Sequence, residues 1–431
     1  MVMRERFGPL ADPKFRLFWI GNSTSLVGDA IMPVTLVFAI LSVGGSLSEV
    51  GMVLGTSLAV RVALLVIGGT LADRFPRRLL MVGCDLSLAV VQTAVFVLLA
   101  TGHGSIWMLL AAAVFYGIAS ALSKPALTGL LPQMVATERL QQANALMSIS
   151  RSAAQIIGPA LAGLIIAVAS PAAAYLLDAG TYLVSAITLL LLRLPPVARK
   201  SRGKLFQDIA AGWREVVSRP WYWMGLCCHA VWNLGASVFV VLGPVIVNEQ
   251  LGGASRWGLV ATSAAVGSLL GGFVALRWRP RRPLISGHLC LLLSVPQLAA
   301  LFAPSPVVVL MAAATMHAIG VAIINQIWVT ALQQLIPEAV ISRVSSYDWL
   351  ISMIVAPLGL ALTGPLAEHA GTPFTLGVAI TLVTVPVLAI LVVPGIRAVR
   401  QSHDGKMFFP DSNKKPDASS ATSVMAGSDG P

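Results

Sequence analysis

Along this chain, apolar runs alternate with short breaks rich in charge, proline or glycine. The runs fall at 17–41, 49–72, 79–101, 105–131, 142–169, 172–194, 221–247, 257–276, 284–303, 306–333, 346–367 and 374–395. A helix needs about 20 apolar residues to cross ~30 Å of hydrocarbon at ~1.5 Å per residue. Every run approaches or exceeds that length. The pattern therefore predicts an all-α integral membrane protein with twelve transmembrane helices. The N-terminal "MVMRERFGPLADPKFRLFW" is polar for too long to be a cleavable signal, so the first run is expected to be an uncleaved span. The polar, Ser/Gly/Asp/Pro-rich segment 396–431 is expected to be a disordered tail.

Composition agrees with the pattern. Of 431 residues, 56% are hydrophobic and 11% charged, and the mean hydropathy is +0.83. Soluble domains carry roughly 25% charged residues, so a water-soluble fold is excluded. The formal net charge is +11, and its distribution is lopsided. With the N-terminus in the cytoplasm, inner segments hold 25 of the 29 Lys and Arg, and outer segments hold one, Arg256. The other three, Arg61, Lys124 and Arg151, lie inside spans. The positive-inside rule then predicts a plasma-membrane protein with both termini cytoplasmic. Basicity is explained by topology, and no nucleic-acid partner is needed. Cys84, Cys227, Cys228 and Cys290 all lie in apolar runs without ligand spacing and read as small buried hydrophobes.

A shift of 204 positions brings Trp19 onto Trp223, Gly68 onto Gly272, Pro76 onto Pro280, Arg77–Arg78 onto Arg281–Arg282, and Arg139 onto Arg343. The chain thus divides into two parallel six-helix halves, 1–194 and 221–395, joined by a basic linker, 195–220. Such parallel repeats are a transporter signature, with the substrate site near the bilayer midplane between the halves.

The stretch "GGTLADRFPRR" resembles the signature between helices 2 and 3 of the major facilitator superfamily, with Pro76 where that signature usually has Gly. "GLLPQMVATERLQQANAL" and "IIGPALAG" resemble the drug and siderophore exporter branch, the enterobactin-exporter-like and macrolide-efflux-like proteins. The resemblance implies the major facilitator fold. It also implies a gating latch, in which Gly69 permits close packing, Asp73 favours a helix N-terminus or an Arg, and Arg74, Arg77 and Arg78 hold carboxylates or helix carbonyls. The alternative is that this loop only anchors topology. In helix 5, Gly158, Pro159 and Gly163 match the superfamily's exporter motif and imply helix packing and a bend. The resemblance further implies that helices 1, 4, 7 and 10 line the cavity.

Charges inside spans are costly, at about 2.5–3.5 kcal/mol each near a helix centre, and mark partners or function. Asp29 lies 13 residues past Arg16, and Arg61 lies 12 before Asp73. Both sit ~18–20 Å deep. The matched depths predict an Asp29–Arg61 pair that couples protons, with a static ion pair as the alternative. Arg151 is similarly deep, and Lys124 lies nearer the cytoplasm. The resemblance implies that helices 3, 6, 9 and 12 lie outside the cavity, so Asp85 and Asp178, on helices 3 and 6, read as structural. The second half keeps neutral groups at the corresponding depth: His229, Trp232 and Asn233 in helix 7, and His317, Asn325, Gln326 and Trp328 in helix 10. These residues, with Lys124 and Arg151, are the candidate substrate-binding set. No nucleotide-binding, hydrolase or metal motif is present, so neither an enzyme nor a cofactor is expected. The reading is a secondary transporter exporting an amphipathic organic compound against protons. Its alternatives are a proton-coupled uptake symporter for a small metabolite and a non-transporting receptor of the same fold.

Overall fold

The apolar runs are helices. The computed structural model describes residues 8–192 except 75, 137 and 138; residues 213–402 except 303–304, 337–343, 345–346 and 349; and residues 406–410. The side chains of 65–74, 128 and 129 lie outside that description. The first half contains α1 (Pro13–Ser42), α2 (Leu47–Arg74), α3 (Arg77–Ala100), α4 (Ile106–Leu130), α5 (Leu140–Val168) and α6 (Pro171–Leu191). The second contains α7 (Pro220–Gln250), α8 (Ala254–Arg277), α9 (Pro283–Ala299), α10 (Val307–Leu335), α11 (Leu350–Ala370) and α12 (Thr372–Ile390).

Local sequence sets several helix starts. Asp12 accepts a hydrogen bond from the Lys14 amide at 2.8 Å, and Ser105 and Ser170 cap α4 and α6 in the same way. Proline occupies the first turn of α1, α6, α7, α9 and α12, where no amide partner is lost.

Among the described residues, eleven helices are long and apolar enough to cross a membrane. The twelfth expected span, α9, is broken: Pro283–Cys290 is helical, Leu291–Ser294 forms a 3-10 turn, and Val295–Ala299 resumes the helix. Pro296 explains the break, since it has no amide for Leu292 and its ring crowds the preceding turn.

The two halves repeat in packing as well as in sequence. In the first, α1 packs on α5 and α6, α2 on α4, and α3 on α4 and α6. In the second, α7 packs on α11 and α12, α8 on α10, and α9 on α10 and α12. Adding six to each helix number converts one pattern into the other. The halves meet along two related seams, α2 against α11 and α5 against α8.

Both seams close away from the chain termini. At the end distal to the termini, a Cβ on Gly364 would fall on the backbone of Leu47 and Ser48, so only glycine allows α11 this approach to α2. On the other seam a Cβ on Gly163 would lie 2.8 Å from the Ala254 carbonyl. Glu368 locks the first seam: its carboxylate accepts from the Ser48 amide at 2.9 Å and the Ser48 hydroxyl at 2.5 Å. The face of α5 that meets α8 at Pro159 and Gly163 continues toward the terminal side as Gln155, Arg151, Ser148 and Asn144, all exposed. The gap between the halves thus opens toward the side of the termini.

The chain does not lose its order at residue 396. A short helix, α13 (Pro394–Ala398), and a hairpin of β1 (Arg400–Gln401) and β2 (Met407–Phe408) fold back under the second half. Ile396, Val399 and Met407 are buried there. Three apolar side chains spaced along an otherwise polar segment are sufficient to dock it, which corrects the expected boundary of the tail.

Candidate transport site

Four helices of the first half bring charge to one place on its inner face. Asp29 comes from α1, Arg61 from α2, Lys124 from α4 and Arg151 from α5. Asp29 is half-buried and accepts a hydrogen bond from the Tyr182 hydroxyl of α6 at 2.6 Å. Tyr116 of α4 also hydrogen-bonds it, and Lys124 and Arg151 lie within electrostatic reach. Arg61 acts on the same cluster through Tyr116 and Lys124. Asp29 is thus held by two phenols with Lys124 and Arg151 in electrostatic reach, while Arg61, its expected partner, acts on the cluster at Tyr116 and Lys124. Lys124 and Arg151 are exposed, so the cluster reaches open space from the α4 and α5 sides.

Neither Tyr116 nor Tyr182 was flagged by the sequence pattern. A signal existed: the chain has only five tyrosines, and Tyr116 lies eight residues before Lys124, close to one helical face. Tyrosine reads as an interfacial or core aromatic, and that masks its value as a hydroxyl donor inside a membrane.

The remaining two acids sit behind this face. Asp178 is fully enclosed, accepting from Gln92 at 2.6 Å and Thr181 at 3.3 Å. Its carboxylate and Thr181 occupy the space a Cβ on Gly28 would need, so α1 and α6 touch through that glycine. Asp85 is buried and hydrogen-bonds Ser185. Both acids tie α3 to α6.

The second half presents less than its sequence promised. Trp328 is 4% exposed, stacks on Tyr222 with centroids 5.6 Å apart, and donates its indole N–H to Asp348 at 2.8 Å. His229 packs edge-on against Trp328 and stacks on His288 at 5.2 Å. Trp232, 7% exposed, stacks on His317 at 5.8 Å, and His317 in turn bonds the Ser294 hydroxyl at 2.8 Å. These groups fill space among α7, α9 and α10. Large flat rings lose their contacts if turned into an open gap, and the kinks of α9 leave volume for them to fill. Asn233 donates to the carbonyls of His229 and Ser352 and ties α7 to α11. Of this set only Asn325 and Gln326 are exposed.

The charged turn after α2 is shorter than expected, because α2 runs through Asp73 and Arg74. The side chains of Gly69, Asp73 and Arg74 lie outside the described residues. Arg78 donates to the carbonyl of Leu192, which caps the C-terminus of α6. That is a cation on a helix's negative end, within one half. In helix 5, Gly158 sits against Ala30 of α1, while Pro159 and Gly163 face Gly258 of α8.

The paired six-helix architecture, the two symmetric seams and the polar cluster facing the gap accompany a match of the Major Facilitator Superfamily profile to residues 18–360. The chain belongs to the major facilitator superfamily. Macrolide efflux protein A of Streptococcus pyogenes is 22% identical over 368 residues, 83% of this chain and 90% of that protein. The enterobactin exporter EntS of Escherichia coli O1:K1 / APEC is 24% identical over 404 residues, 90% of this chain and 94% of that one. Among solved structures, the nucleoside transporter NupG superposes with a TM-score of 0.71 at 11% identity, covering 88% of this chain and 98% of that chain. A bacterial homologue of the iron transporter ferroportin in an inward-facing state gives 0.67 at 18% identity, with coverage of 88% and 98%. The chain is therefore a multi-pass membrane protein and a secondary active transporter of a small organic molecule, not an enzyme. Among the described residues, no three His, Cys, Asp or Glu side chains gather as a metal site.

Proposed function

We propose that this superfamily member exports an amphipathic organic compound from the cytoplasm, driven by protons entering through Asp29. The cluster of Asp29 with Tyr182, Tyr116, Lys124, Arg151 and Arg61 carries the reading. A carboxylate whose partners change as the halves rock changes its proton affinity with them. Hydroxyls from α4 and α6 and cations from α2, α4 and α5 supply such alternative partners. Lys124 and Arg151 meet the substrate from the first half, and Asn325 and Gln326 from the second. His229, Trp232, Asn233, His317 and Trp328 hold the second half in shape.

The charge bias of the connecting segments supports a reading in which the termini, and so the open end of the gap, face the cytoplasm of a plasma-membrane protein. The structure is then a cytoplasm-open state with the outer seams closed, the state an exporter loads from. Export is supported by relatives that carry a macrolide or enterobactin outward and by the glycines and proline of α5.

The test is proton-driven transport in proteoliposomes, after drug susceptibility and accumulation in a deletion strain have named a substrate. Asp29→Asn is expected to abolish uphill transport. Asp29→Asn combined with Arg61→Gln is expected to recover expression and folding, because charge is removed in opposite pairs, without recovering uphill transport. Full gradient-driven activity in the double variant would sink the coupling role.

A further inference from the structure

The hairpin after α12 creates a cavity that the transport cycle does not use. It has a volume of about 400 Å³ and is lined by Arg279, Arg281, Arg400, Gln401 and Ser402. Two chain segments far apart in sequence build it. Arg279 and Arg281 come from the turn between α8 and α9, the second copy of the "RFPRR" motif. Arg400 comes from β1. The lining holds three guanidinium groups.

The cradle is fixed in place. The Gln401 amide donates to the Arg281 carbonyl at 3.2 Å, and the Met407 amide donates to Gln334 of α10 at 2.7 Å. Phe409 packs on Trp221 at 6.2 Å between centroids, and Ile396 and Val399 are fully buried. The arginines are thus presented by an anchored element.

Its surroundings identify the ligand. Just before the turn, Phe273, Val274 and Leu276 of α8 are exposed apolar side chains of the kind that face acyl chains, and Trp278 follows at the level where indoles collect in membranes. Phe408 and Phe409 of the hairpin are also partly exposed. The basic cavity therefore sits at headgroup depth, directly below a lipid-facing helix surface. Planar guanidinium forks match phosphate oxygens in pairs, and basic pockets on the cytoplasmic side of membrane helices suit anionic headgroups.

We infer that the cavity between the α8–α9 turn and the C-terminal hairpin binds a phosphate-bearing anion, the headgroup of an anionic phospholipid of the surrounding leaflet. Bound there, the headgroup bridges the turn and the hairpin and stiffens the second half where it meets the membrane surface.

The experiment uses the full chain, purified in detergent. Native mass spectrometry reads binding of phosphatidylglycerol against phosphatidylcholine, and a thermal-shift series reads inorganic phosphate and pyrophosphate. The wild type is expected to prefer phosphatidylglycerol by about tenfold, a difference of ~1.4 kcal/mol. The Arg279→Gln/Arg400→Gln pair is expected to lose that preference. Arg256→Gln, a charge change at the opposite end of the helices, is expected to keep it. Arg400→Lys keeps the charge without the fork and is expected to fall between, which separates loss of the site from loss of the fold. Arginine-dependent binding of pyrophosphate without a lipid preference would support the phosphate site and assign it to a soluble ligand. Equal phosphatidylglycerol preference in the wild type and the double variant, or binding of neither phospholipid nor phosphate by the wild type, would overturn the proposal.

Discussion

Tyr182→Phe removes one oxygen, and with it the 2.6 Å hydrogen bond that Asp29 accepts inside the membrane. Hydrogen bonds to charged groups contribute about 1.5–3 kcal/mol, and an unsatisfied buried partner costs a similar amount. The variant should therefore lose a few degrees of apparent Tm in detergent. Gly28→Val should lose more, because its side chain would occupy the space held by Asp178 and Thr181, and overpacking costs about 1–3 kcal/mol before any lost hydrogen bond is counted. Thermal unfolding of both variants beside the wild type checks the order. A Tyr182→Phe protein as stable as the wild type would show that Tyr116 alone satisfies Asp29. At this scale the sequence was legible for charge and blind to geometry. Depth arithmetic brought Asp29, Arg61 and Arg151 to one level, because rise per residue is nearly constant in a helix. The same arithmetic says nothing of azimuth. Trp232 and Trp328 were expected at the cavity because helices 7 and 10 line it in the family, whereas the Trp232 ring packs toward α9 and α10 and the Trp328 ring toward α7 and α9.

Between elements, the lock at the distal end sets the balance of the two access states. Glu368 of α11 grips Ser48 at the N-terminus of α2 from the opposite half. α2 is also capped from within: the Ser46 amide donates to Glu49, and the Glu49 amide donates to the Ser46 hydroxyl. The grip by Glu368 exists only while this seam is closed, so weakening it favours the state open at that end. Glu368→Gln keeps the shape and removes the charge from both bonds. A change of about 1.4 kcal/mol, within the range for a charge-assisted hydrogen bond, shifts the state ratio tenfold. Spin-label distances across the distal ends of α2 and α11 should show a larger open population in Glu368→Gln, with little change in Tm. Unchanged distance distributions would reduce the contact to a surface hydrogen bond. The partners Ser48 and Glu368 lie 320 positions apart, and neither is unusual in its local sequence. Helix number and length were legible from apolar runs. The break in α9 and the docking of 394–402 and 406–408 were not, because one depends on a proline inside an apolar run and the other on three buried side chains in a polar segment.

For the whole molecule, the repeat read from sequence at a spacing of 204 residues reappears as the packing rule that carries each helix of the first half onto its counterpart six places later. That symmetry defines the two seams and the gap between them, yet not which side of the membrane the gap faces. Charge carries the proposed orientation. With 25 Lys and Arg in the segments on one side and one on the other, inverting the chain would carry a large basic excess across the bilayer against the positive-inside preference. On the proposed orientation the side bearing the termini is the cytoplasm, and the exposed polar stripe of α5 opens onto it. Single cysteines introduced at Gln207 or Gly405, with the four native cysteines replaced, should react with an impermeant maleimide only in everted vesicles or after lysis. Cysteines at Gly253 and Gly371, in the tight turns where α7 meets α8 and α11 meets α12, should react in intact cells. Labelling of the Gly405 position in intact cells would invert the molecule. The gap would then open outward, Glu368 would close the cytoplasmic face, and an exporter that loads from this state would no longer be a tenable reading.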